Sequence, residues 1–231
     1  MSDLAAFQAL PLVLLGAGGH AKVVLSLVRA AGLALHGVCD PALARQGVAQ
    51  WRGLPVLGGD EALDALAPSA VALANGIGQL AQGTLRRDVY ERLARRGFRF
   101  PALVHPQAWV DPSAVLADGV QVMAGAVVQA DCRVGENTIV NTRASLDHDC
   151  LIGAHVHVAP GACLCGTVSV GDGAFVGAGA TVLPNLTLGE RAVVAAGATL
   201  ARSLPADAHH LPHRSGPRAG HSQDNPQDLN R

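Results

Sequence analysis

From residue 110 onward, a large aliphatic residue recurs at every sixth position. Cut into sixes from Val110 to Pro205, the chain gives sixteen hexapeptides, each beginning with Val, Leu or Ile and carrying Ala, Val, Cys, Thr or Leu at its fifth position. This strict period, with one large and one small inward residue per unit, predicts a parallel β-helix in which three units close each coil. A set of hairpins would instead show a period of two.

Residues 11 to 100 show a different pattern, in which strand-like and helix-like segments alternate. The run PLVLLG precedes a helical pattern from about His20 to Ala31. The alternation continues with the strand-like runs LALHGVCD, LPVLG and AVALANG and the helix-like runs DEALDALA and TLRRDVYERLARRG. This order is typical of a small parallel sheet covered by helices. A segment of about 100 residues has room for one mononucleotide-binding half of a dinucleotide-binding fold.

The two patterns divide the chain. We predict a nucleotide-binding α/β domain over residues 1–104, a hexapeptide β-helix over residues 105–205, and a flexible tail over residues 206–231. The tail is polar, rich in Pro, His and Arg, and has no periodicity, which is typical of disordered segments. The expected fold class is α/β plus β, with a small Rossmann-like domain before the β-helix.

Composition and charge narrow the classes of function. The formal net charge is −1 and aromatic residues make up 3%, so the chain lacks the basic stripe and stacking residues of a nucleic-acid-binding protein. The first apolar run is short and follows no basic segment, so we expect no membrane insertion and a cytoplasmic location. The five cysteines show no C-x-x-C spacing, which indicates neither a disulfide framework nor a zinc site.

The sequence GAGGHA, Gly16 to Ala21, matches the pattern G-x-G-x-x-A between a predicted strand and a predicted helix. Gly16 allows a tight turn, Gly18 and the adjoining Gly19 let the backbone approach a phosphate, and the free N–H groups of the helix start attract an anion. Asp40, at the end of the next strand, is a candidate acceptor for hydrogen bonds from a ribose or a base.

His20 and the pair Asn75 and Gly76 each allow two interpretations. His20 either donates a hydrogen bond to a phosphate or a sugar hydroxyl or simply helps to begin the helix. Asn75 and Gly76 follow a later strand, at the edge where ligands of open α/β sheets bind. An ordinary strand-ending turn is the alternative for this pair.

The coil length leads to a geometric prediction for His148. Residues eighteen positions apart stack on successive coils, about 4.8 Å from each other, and the residue eighteen positions after His148 is Gly166. An imidazole above a residue without a side chain leaves room for a ligand, and the Gly166 N–H is a candidate oxyanion donor beside a general base. Either Asp147 or Asp149 is expected to orient the ring.

The remaining candidates for chemistry in the β-helix are weaker. His155 and His157 form an H-x-H pair, but no third ligand stands at a suitable spacing, so we predict no metal. His157 is expected either to line the same cleft from a neighbouring subunit or to lie on the surface. Cys163 and Cys165 fall near the proposed site, and packing is favoured over nucleophilic catalysis because nothing indicates an electropositive setting.

The combination of GAGGHAKVV, LVHPQAWVDPSA, an uninterrupted hexapeptide array and DHDCLIG resembles the NeuD/PglD-like family of sugar acyltransferases over about residues 11 to 205. Within that family, the chain is most similar to enzymes that N-acetylate nucleotide-linked 4-amino sugars. The resemblance implies a left-handed β-helix, an obligate homotrimer with active sites between subunits, and acetyl-CoA as co-substrate.

The same resemblance implies roles for residues of the β-helix. His148 with a neighbouring acidic residue is the base, the Gly166 amide faces the thioester carbonyl, and acetyl-CoA lies along the later coils towards Ala178 and Ala196. The family usually ends in a segment containing G-x-P-A, where this chain has HHLPHRSGPRAG. That departure leaves the cap of the last coil and the CoA end of the groove undetermined.

The acceptor side is assigned in the same way. Asn141 and His157 resemble residues that line the amino-sugar site, while Gly18, His20 and Asp40 resemble residues that hold the nucleotide.

The leading hypothesis is direct acetyl transfer from acetyl-CoA to the 4-amino group of a nucleotide-linked deoxysugar, for surface glycan synthesis. Two alternatives stay open, a sialic acid O-acetyltransferase and a non-catalytic trimeric scaffold that senses a nucleotide. A nicotinamide-dependent dehydrogenase, suggested by the glycine motif alone, is disfavoured by the truncated sheet.

Overall fold

A computed structural model describes residues 10–81 and 83–211, which form an α/β domain and a three-sided β-helix. The α/β domain is built on a five-stranded sheet with the strand order β3-β4-β2-β1-β5. Strand β3 runs antiparallel to β4, and the other neighbouring strands are parallel. The strands are β1 (Leu12–Leu15), β2 (Leu35–Cys39), β3 (Gln50–Trp51), β4 (Leu54–Gly58) and β5 (Ala72–Asn75).

Helices cover both faces of this sheet. They are α1 (Gly19–Ala30), α2 (Pro41–Arg45) and α3 (Leu85–Arg95), with a 3₁₀ helix at Asp60–Ala65. Because side chains alternate along a strand, Leu12 and Leu14 pack with the α1 side of the core, and Val13 and Leu15 pack with the α3 side. This two-sided burial explains the continuous apolar run of β1. None of the described helices is long and apolar enough to cross a membrane.

The β-helix has three faces of short parallel strands, seven on face 1, six on face 2 and five on face 3. Face 1 contains β6 (Leu103–Val104), β9 (Gln121–Val122), β12 (Ile139–Val140), β15 (His157–Val158), β18 (Phe175–Val176), β21 (Val193–Val194) and β23 (His209–His210). Face 2 contains β7 (Trp109–Val110), β10 (Val127–Val128), β13 (Ser145–Leu146), β16 (Cys163–Leu164), β19 (Thr181–Val182) and β22 (Thr199–Leu200). Face 3 contains β8 (Val115–Leu116), β11 (Arg133–Val134), β14 (Leu151–Ile152), β17 (Ser169–Val170) and β20 (Thr187–Leu188).

The eighteen-residue coil is visible in the strand register. Ser145 pairs with Cys163, and Leu146 pairs with Leu164. The first residue of each hexapeptide points into the prism, so Leu146 and Leu164 are fully buried, and the small fifth residue, such as Ala144, is buried beside them. One large and one small side chain per unit therefore fill the narrow interior.

Both ends of the β-helix differ by a few residues from the predicted limits. Strand β6 pairs with β9, so the first coil begins before residue 105. Strand β23 pairs with β21, so an ordered coil extends into the segment predicted as a flexible tail. In that last coil Val193 pairs with His209, sixteen residues later (209 − 193). The hexapeptide period therefore ends before the coil does, and residues 212–231 lie outside the described part of the chain.

The α/β domain packs on face 1 of the β-helix. Met123 and Ile139 of the β-helix belong to the same apolar cluster as Val24 and Val28 of α1. Residues at the sixth hexapeptide position point outward on this face, and most of them are buried by the domain. Face 1 is thus the shared wall of the two domains.

Glycines stack at the corner between faces 3 and 1, called the third corner here. Gly135, Gly153, Gly171 and Gly189 occupy equivalent positions in successive coils. A Cβ on Gly171 would lie 2.6 Å from the Glu190 nitrogen and 2.8 Å from the Gly189 carbonyl carbon, both backbone atoms. A side chain at Gly171 would therefore require the backbone of the next coil to move.

We expect Gly171→Ala to destabilise the β-helix. The added methyl group must displace the backbone of the next coil, and overpacking of this kind costs roughly 1–3 kcal/mol. Thermal unfolding followed by circular dichroism measures the change, with Ser169→Ala on the neighbouring strand as the control. An unfolding midpoint equal to that of the control would contradict the packing described for the third corner.

Candidate active site

The imidazole of His148 lies directly over Gly166 at the corner between faces 2 and 3, the second corner. A Cβ on Gly166 would lie 2.6 Å from both Cε1 and Nε2 of His148. The His148 side chain is 59% exposed, so the ring does not enter the prism. The structure therefore has the stacking predicted from the coil length.

The backbone around Gly166 leaves one donor without a protein partner. The Thr167 N–H donates to the His148 carbonyl over 2.9 Å, and the Gly166 carbonyl accepts from the Asn185 N–H over 3.1 Å. Among residues 10–81 and 83–211, no acceptor bonds the Gly166 N–H. An amide in this position can donate to an oxygen that gains negative charge during a reaction.

The two flanking aspartates have different partners. Asp149 Oδ2 lies 2.8 Å from His148 Nδ1, whereas Asp147 Oδ1 accepts from the His148 backbone N–H over 2.8 Å. Asp149 is therefore the residue that orients the ring, which the sequence left undecided. With the proton on Nδ1, the Nε2 lone pair stands above Gly166. The Asp149 hydrogen bond is the main reason that the pKa of His148 is raised above its ordinary value.

The neighbouring cysteines have the character of packing residues. Cys163 and Cys165 are half-buried, free thiols. Burial raises the pKa of the Cys165 thiol, with a further contribution from Cys163. A raised pKa disfavours the thiolate that nucleophilic catalysis requires.

Asn141, Ala178 and Ala196 lie at a different corner from His148. They follow face-1 strands and precede face-2 strands, so they belong to the corner between faces 1 and 2, the first corner. Ala178 and Ala196 are exposed and stack on successive coils. Within one chain, the predicted acetyl-CoA path towards these alanines is separated from Gly166 by the whole of face 2.

His157 is buried at the domain junction, which contradicts the surface alternative for this residue. The ring is 8% exposed and packs edge-on against Phe175 with centroids 5.0 Å apart. Its Nδ1 donates to the Gln79 carbonyl over 3.1 Å, and its Nε2 accepts from Asn141 Nδ2 over 3.1 Å. Burial lowers the pKa of His157 to about 4, with Arg86 adding to the effect. The residue is neutral at physiological pH.

The glycine loop has the backbone form predicted for it. Gly16 has a φ of 82°, and its N–H donates to the Cys39 carbonyl over 2.7 Å. Gly18 and Gly19 are exposed, and a Cβ on either would meet no atom within 4 Å. The start of α1 is therefore open to an anion, and its binding role stays a prediction.

Asp40 acts mainly on the protein backbone. Its carboxylate accepts from the N–H groups of Ala17 at 2.8 Å, Ala42 at 2.8 Å and Leu43 at 2.9 Å. These bonds cap α2 and tie it to the glycine loop. A carboxylate has about four acceptor sites, so Asp40 has little capacity left for the predicted bonds to a ribose or a base.

Asn75 and Gly76 belong to the protein interior, in contrast to the predicted ligand contact. Asn75 is 1% exposed, and its amide donates to the Arg86 carbonyl and to Asn137 Oδ1, each over 3.2 Å. A Cβ on Gly76 would lie 2.6 Å from the Leu15 carbonyl oxygen. The pair therefore ends β5 and joins the domains, which matches the turn alternative.

His20 can accept a hydrogen bond from a ligand but cannot donate one. Gln121 Nε2 donates to the Asn75 carbonyl over 2.9 Å, which leaves Gln121 Oε1 to accept from His20 Nε2 over 2.8 Å. Burial, together with a smaller effect of the Arg86 charge, lowers the pKa of His20 to about 4. The neutral ring has its only proton on Nε2, so Nδ1 suits a sugar hydroxyl and not a phosphate.

Several junction residues were not found from the sequence. Buried or part-buried hydrogen bonds bridge the two domains through the side chains of Gln121, Asn137, Gln79 and Arg86. The sixth hexapeptide positions could have indicated which face is covered. At every eighteenth residue these outward positions carry mostly large apolar or polar side chains, whereas the equivalent positions of face 2 are mostly small. These outward positions of face 1 are Gln121, Ile139, His157, Phe175 and Val193.

The H-x-H pair is divided between two hydrogen-bond networks. His155 Nδ1 lies 3.0 Å from Asn137 Nδ2, on the opposite side of face 1 from the bond between Asn141 and His157. In the part of the chain that the structure describes, no group of three or more His, Cys, Asp or Glu side chains is arranged to hold a metal ion.

Two protein families match the chain. Residues 11–93 match the PglD N-terminal domain, and residues 167–202 match the family described as bacterial transferase hexapeptide with six repeats. An α/β domain of this type joined to a hexapeptide β-helix defines a two-domain hexapeptide transferase.

Solved structures agree over most of the chain. PerB from Caulobacter crescentus, in complex with CoA and GDP-perosamine, is 38% identical with a TM-score of 0.78, and the match covers 86% of this chain and 92% of PerB. The acetyltransferase domain of PglB from Neisseria gonorrhoeae FA1090, in complex with acetyl coenzyme A, is 36% identical with a TM-score of 0.80, and the match covers 87% and 97%. WeeI from Acinetobacter baumannii AYE, at 23% identity, a TM-score of 0.76 and coverage of 87% and 96%, has the same fold.

The chain belongs to the NeuD/PglD-like family of sugar acetyltransferases. It is therefore an enzyme of the acetyltransferase class, and its β-helix is left-handed. The expectations of fold class, family and enzyme class are confirmed.

The orientation of His148 predicts the effect of Asp149→Asn. Removal of the carboxylate withdraws the main cause of the raised pKa, so the pKa of His148 should fall towards the ordinary value of about 6.5. An NMR titration of the ring measures it. Asp147→Asn should give a smaller decrease, because the Asp147 hydrogen bond is to the backbone. A larger effect of Asp147→Asn would contradict the assignment of Asp149 as the orienting residue.

Proposed function

We propose that the chain transfers the acetyl group of acetyl-CoA to the 4-amino group of a nucleotide-linked amino sugar. The observation that carries the proposal is the His148 ring, oriented by Asp149, over the Gly166 amide. The likeness to PerB, which was solved with CoA and GDP-perosamine, supports a sugar acceptor that carries an amine. We also propose a role in surface glycan synthesis and a cytoplasmic location.

The proposed chemistry needs one base and one oxyanion donor. The amine nitrogen attacks the thioester carbonyl carbon while Nε2 of His148 removes a proton from the amine. The Gly166 N–H bonds the carbonyl oxygen as it becomes negative. When the tetrahedral intermediate collapses, the carbon–sulfur bond breaks and the imidazolium returns its proton to the CoA thiolate. Asp149 stabilises the imidazolium between these two steps.

The placement of the two domains supports a site between subunits. The α/β domain covers face 1, whereas His148 lies at the second corner, which is the corner opposite face 1. A prism side of six residues is at most about 20 Å long, at about 3.3 Å per residue. A nucleotide held by the glycine loop thus stands on the far side of the prism from His148 of the same chain. This separation supports an acceptor that meets His148 of another copy.

A three-fold arrangement satisfies this requirement. If face 2 of each chain surrounds the axis, the second corner of one chain meets the first corner of the next. His148 and Gly166 would then face Asn141, Ala178 and Ala196 of the neighbouring subunit. The outward residues of face 2 suit contact with other copies, because most of them are small. The one large aromatic residue among them, Trp109, is 55% exposed, as expected of an apolar residue at an interface. We therefore propose a homotrimer.

Acceptor specificity is tested by measuring CoA release with UDP-, GDP- and dTDP-linked amino sugars and with sialic acids. We expect turnover with an amino sugar, and a loss of about 10²–10⁴-fold in kcat for His148→Ala without loss of the trimer. Turnover with sialic acids alone would favour the O-acetyltransferase alternative. Unchanged properties of His148→Ala would favour the scaffold alternative.

A mixed-subunit experiment tests the shared site. Gly18→Glu should prevent nucleotide binding, because the new carboxylate repels the phosphates. A Cβ at this position meets no atom within 4 Å, so the fold should be kept. This variant still carries an intact His148. Neither this variant nor His148→Ala should be active alone. Random co-assembly of equal amounts should restore about one quarter of wild-type activity. Each site takes His148 from one subunit and the glycine loop from its neighbour, and each of these is intact in half of the subunits. A chain with both changes, mixed with His148→Ala, is the control. No recovery in the first mixture would place the site within one chain.

A further inference from the structure

The buried polar side chains of the described residues gather at the domain junction. Apart from Thr138, those buried below one tenth exposure lie between face 1 and the α/β domain. They are Asn75, Arg86, Gln121, Asn137, His155 and His157. Of these, Arg86 is the one charged residue at neutral pH. Burying a cation away from water is unfavourable without compensating bonds, so its bonds indicate its role.

Arg86 is compensated by backbone carbonyls. The guanidinium is 1% exposed; its Nη1 donates to the carbonyls of Asn75 at 2.9 Å and Ile77 at 2.8 Å, and its Nε donates to the carbonyl of Asn137 at 3.3 Å. Burial lowers the pKa of Arg86 to about 9, so the group stays charged at neutral pH. In the described part of the chain, Nη2 has no acceptor. The guanidinium therefore holds the segment after β5 against the β-helix.

That segment contacts His157 directly. Two residues after Ile77, Gln79 accepts from His157 Nδ1 at its carbonyl over 3.1 Å, and its Nε2 donates to the His155 carbonyl over 2.6 Å. Since a carbonyl can only accept, it places the His157 proton on Nδ1. The Nε2 lone pair then accepts from Asn141 Nδ2 over 3.1 Å. A continuous series of bonds and one short backbone segment thus joins Arg86 to Asn141.

We infer that Arg86 is a positioning residue that fixes the tautomer of His157 and, through it, the orientation of the Asn141 amide. This inference rests on the proposed function, in which Asn141 lies opposite His148 of the neighbouring subunit and would contact the acceptor. Arg86 acts both through its hydrogen bonds and through its charge. The charge opposes a proton on His157, and it acts on His20 in the same direction. The other groups packed on His157, namely Gln79, Asn141 and Phe175, are neutral.

The first experiment uses the unmodified protein. In ¹⁵N-histidine NMR spectra, assigned by comparison with His157→Gln, His157 should show the neutral tautomer with the proton on Nδ1 and should not titrate down to about pH 5. A proton on Nε2, or a titration with an ordinary pKa near 6.5, would overturn the inference. This result does not depend on any enzymatic activity.

The second experiment compares Arg86→Gln with Arg86→Lys. Arg86→Gln loses the charge and the paired bonds of Nη1, so we expect a changed His157 signal and an increase of about tenfold or more in KM for the amino sugar. Affinity for CoA should stay within about twofold of wild type. Arg86→Lys keeps the charge and a donor, and it should restore most of the His157 signal. Arg95→Gln, on the same helix with a 71% exposed side chain, is the matched control.

The outcomes separate the inference from the proposed function. An unchanged His157 signal in Arg86→Gln would overturn the positioning role. A changed signal with an unchanged KM would support that role and instead contradict the acceptor contact proposed for Asn141. If Arg86→Gln fails to fold, the inference is tested by Arg86→Lys and by the titration of the unmodified protein. A His157 signal in Arg86→Lys that resembles the signal of the unfolded chain would contradict the expected rescue by the lysine charge.

Discussion

The structure depends on the constant rise between coils of the β-helix. Backbone hydrogen bonds hold successive coils in an eighteen-residue register, which stacks every side chain on its equivalent in the next coil. His148 meets Gly166 for this reason alone, and one inserted residue between them would replace the glycine by a neighbour with a side chain. The repeat therefore both stabilises the β-helix and sets the distance between the proposed base, His148, and the proposed oxyanion donor, the Gly166 amide.

The β-helix also separates tasks by corner and face. Face 1 holds the α/β domain, the first corner carries Asn141 and the exposed alanines, and the second corner carries His148. Since the prism is rigid, these groups cannot approach each other within one chain. The proposed homotrimer would bring the first corner of one chain to the second corner of the next without any conformational change, and a repetitive scaffold would then supply a composite site.

Features set by periodicity could be predicted from the sequence, and features set by domain docking could not. The β-helix and the stack of His148 on Gly166 follow from counting residues. The choice between Asp147 and Asp149 depends on side-chain rotamers at a turn, where Asp149 has a φ of 60°. The burial of Asn75 and His157 arises because the α/β domain covers face 1. The outward residues of that face indicate this only when successive coils are compared at a spacing of eighteen residues, and they do not show which residues of the domain they meet. Asp40 is predicted to bind a ribose or a base, but its carboxylate caps α2 and bonds backbone N–H groups of the protein.

The proposed mechanism requires that His148 and the Gly166 amide act on one thioester. A crystal structure with a non-hydrolysable acetyl-CoA analogue and a nucleotide-linked amino sugar tests it most directly. We expect the carbonyl oxygen about 2.7–3.1 Å from the Gly166 nitrogen and the sugar amine within about 2.6–3.2 Å of His148 Nε2. A carbonyl bound away from Gly166, or an amine beyond the reach of every His148 in the assembly, would contradict it.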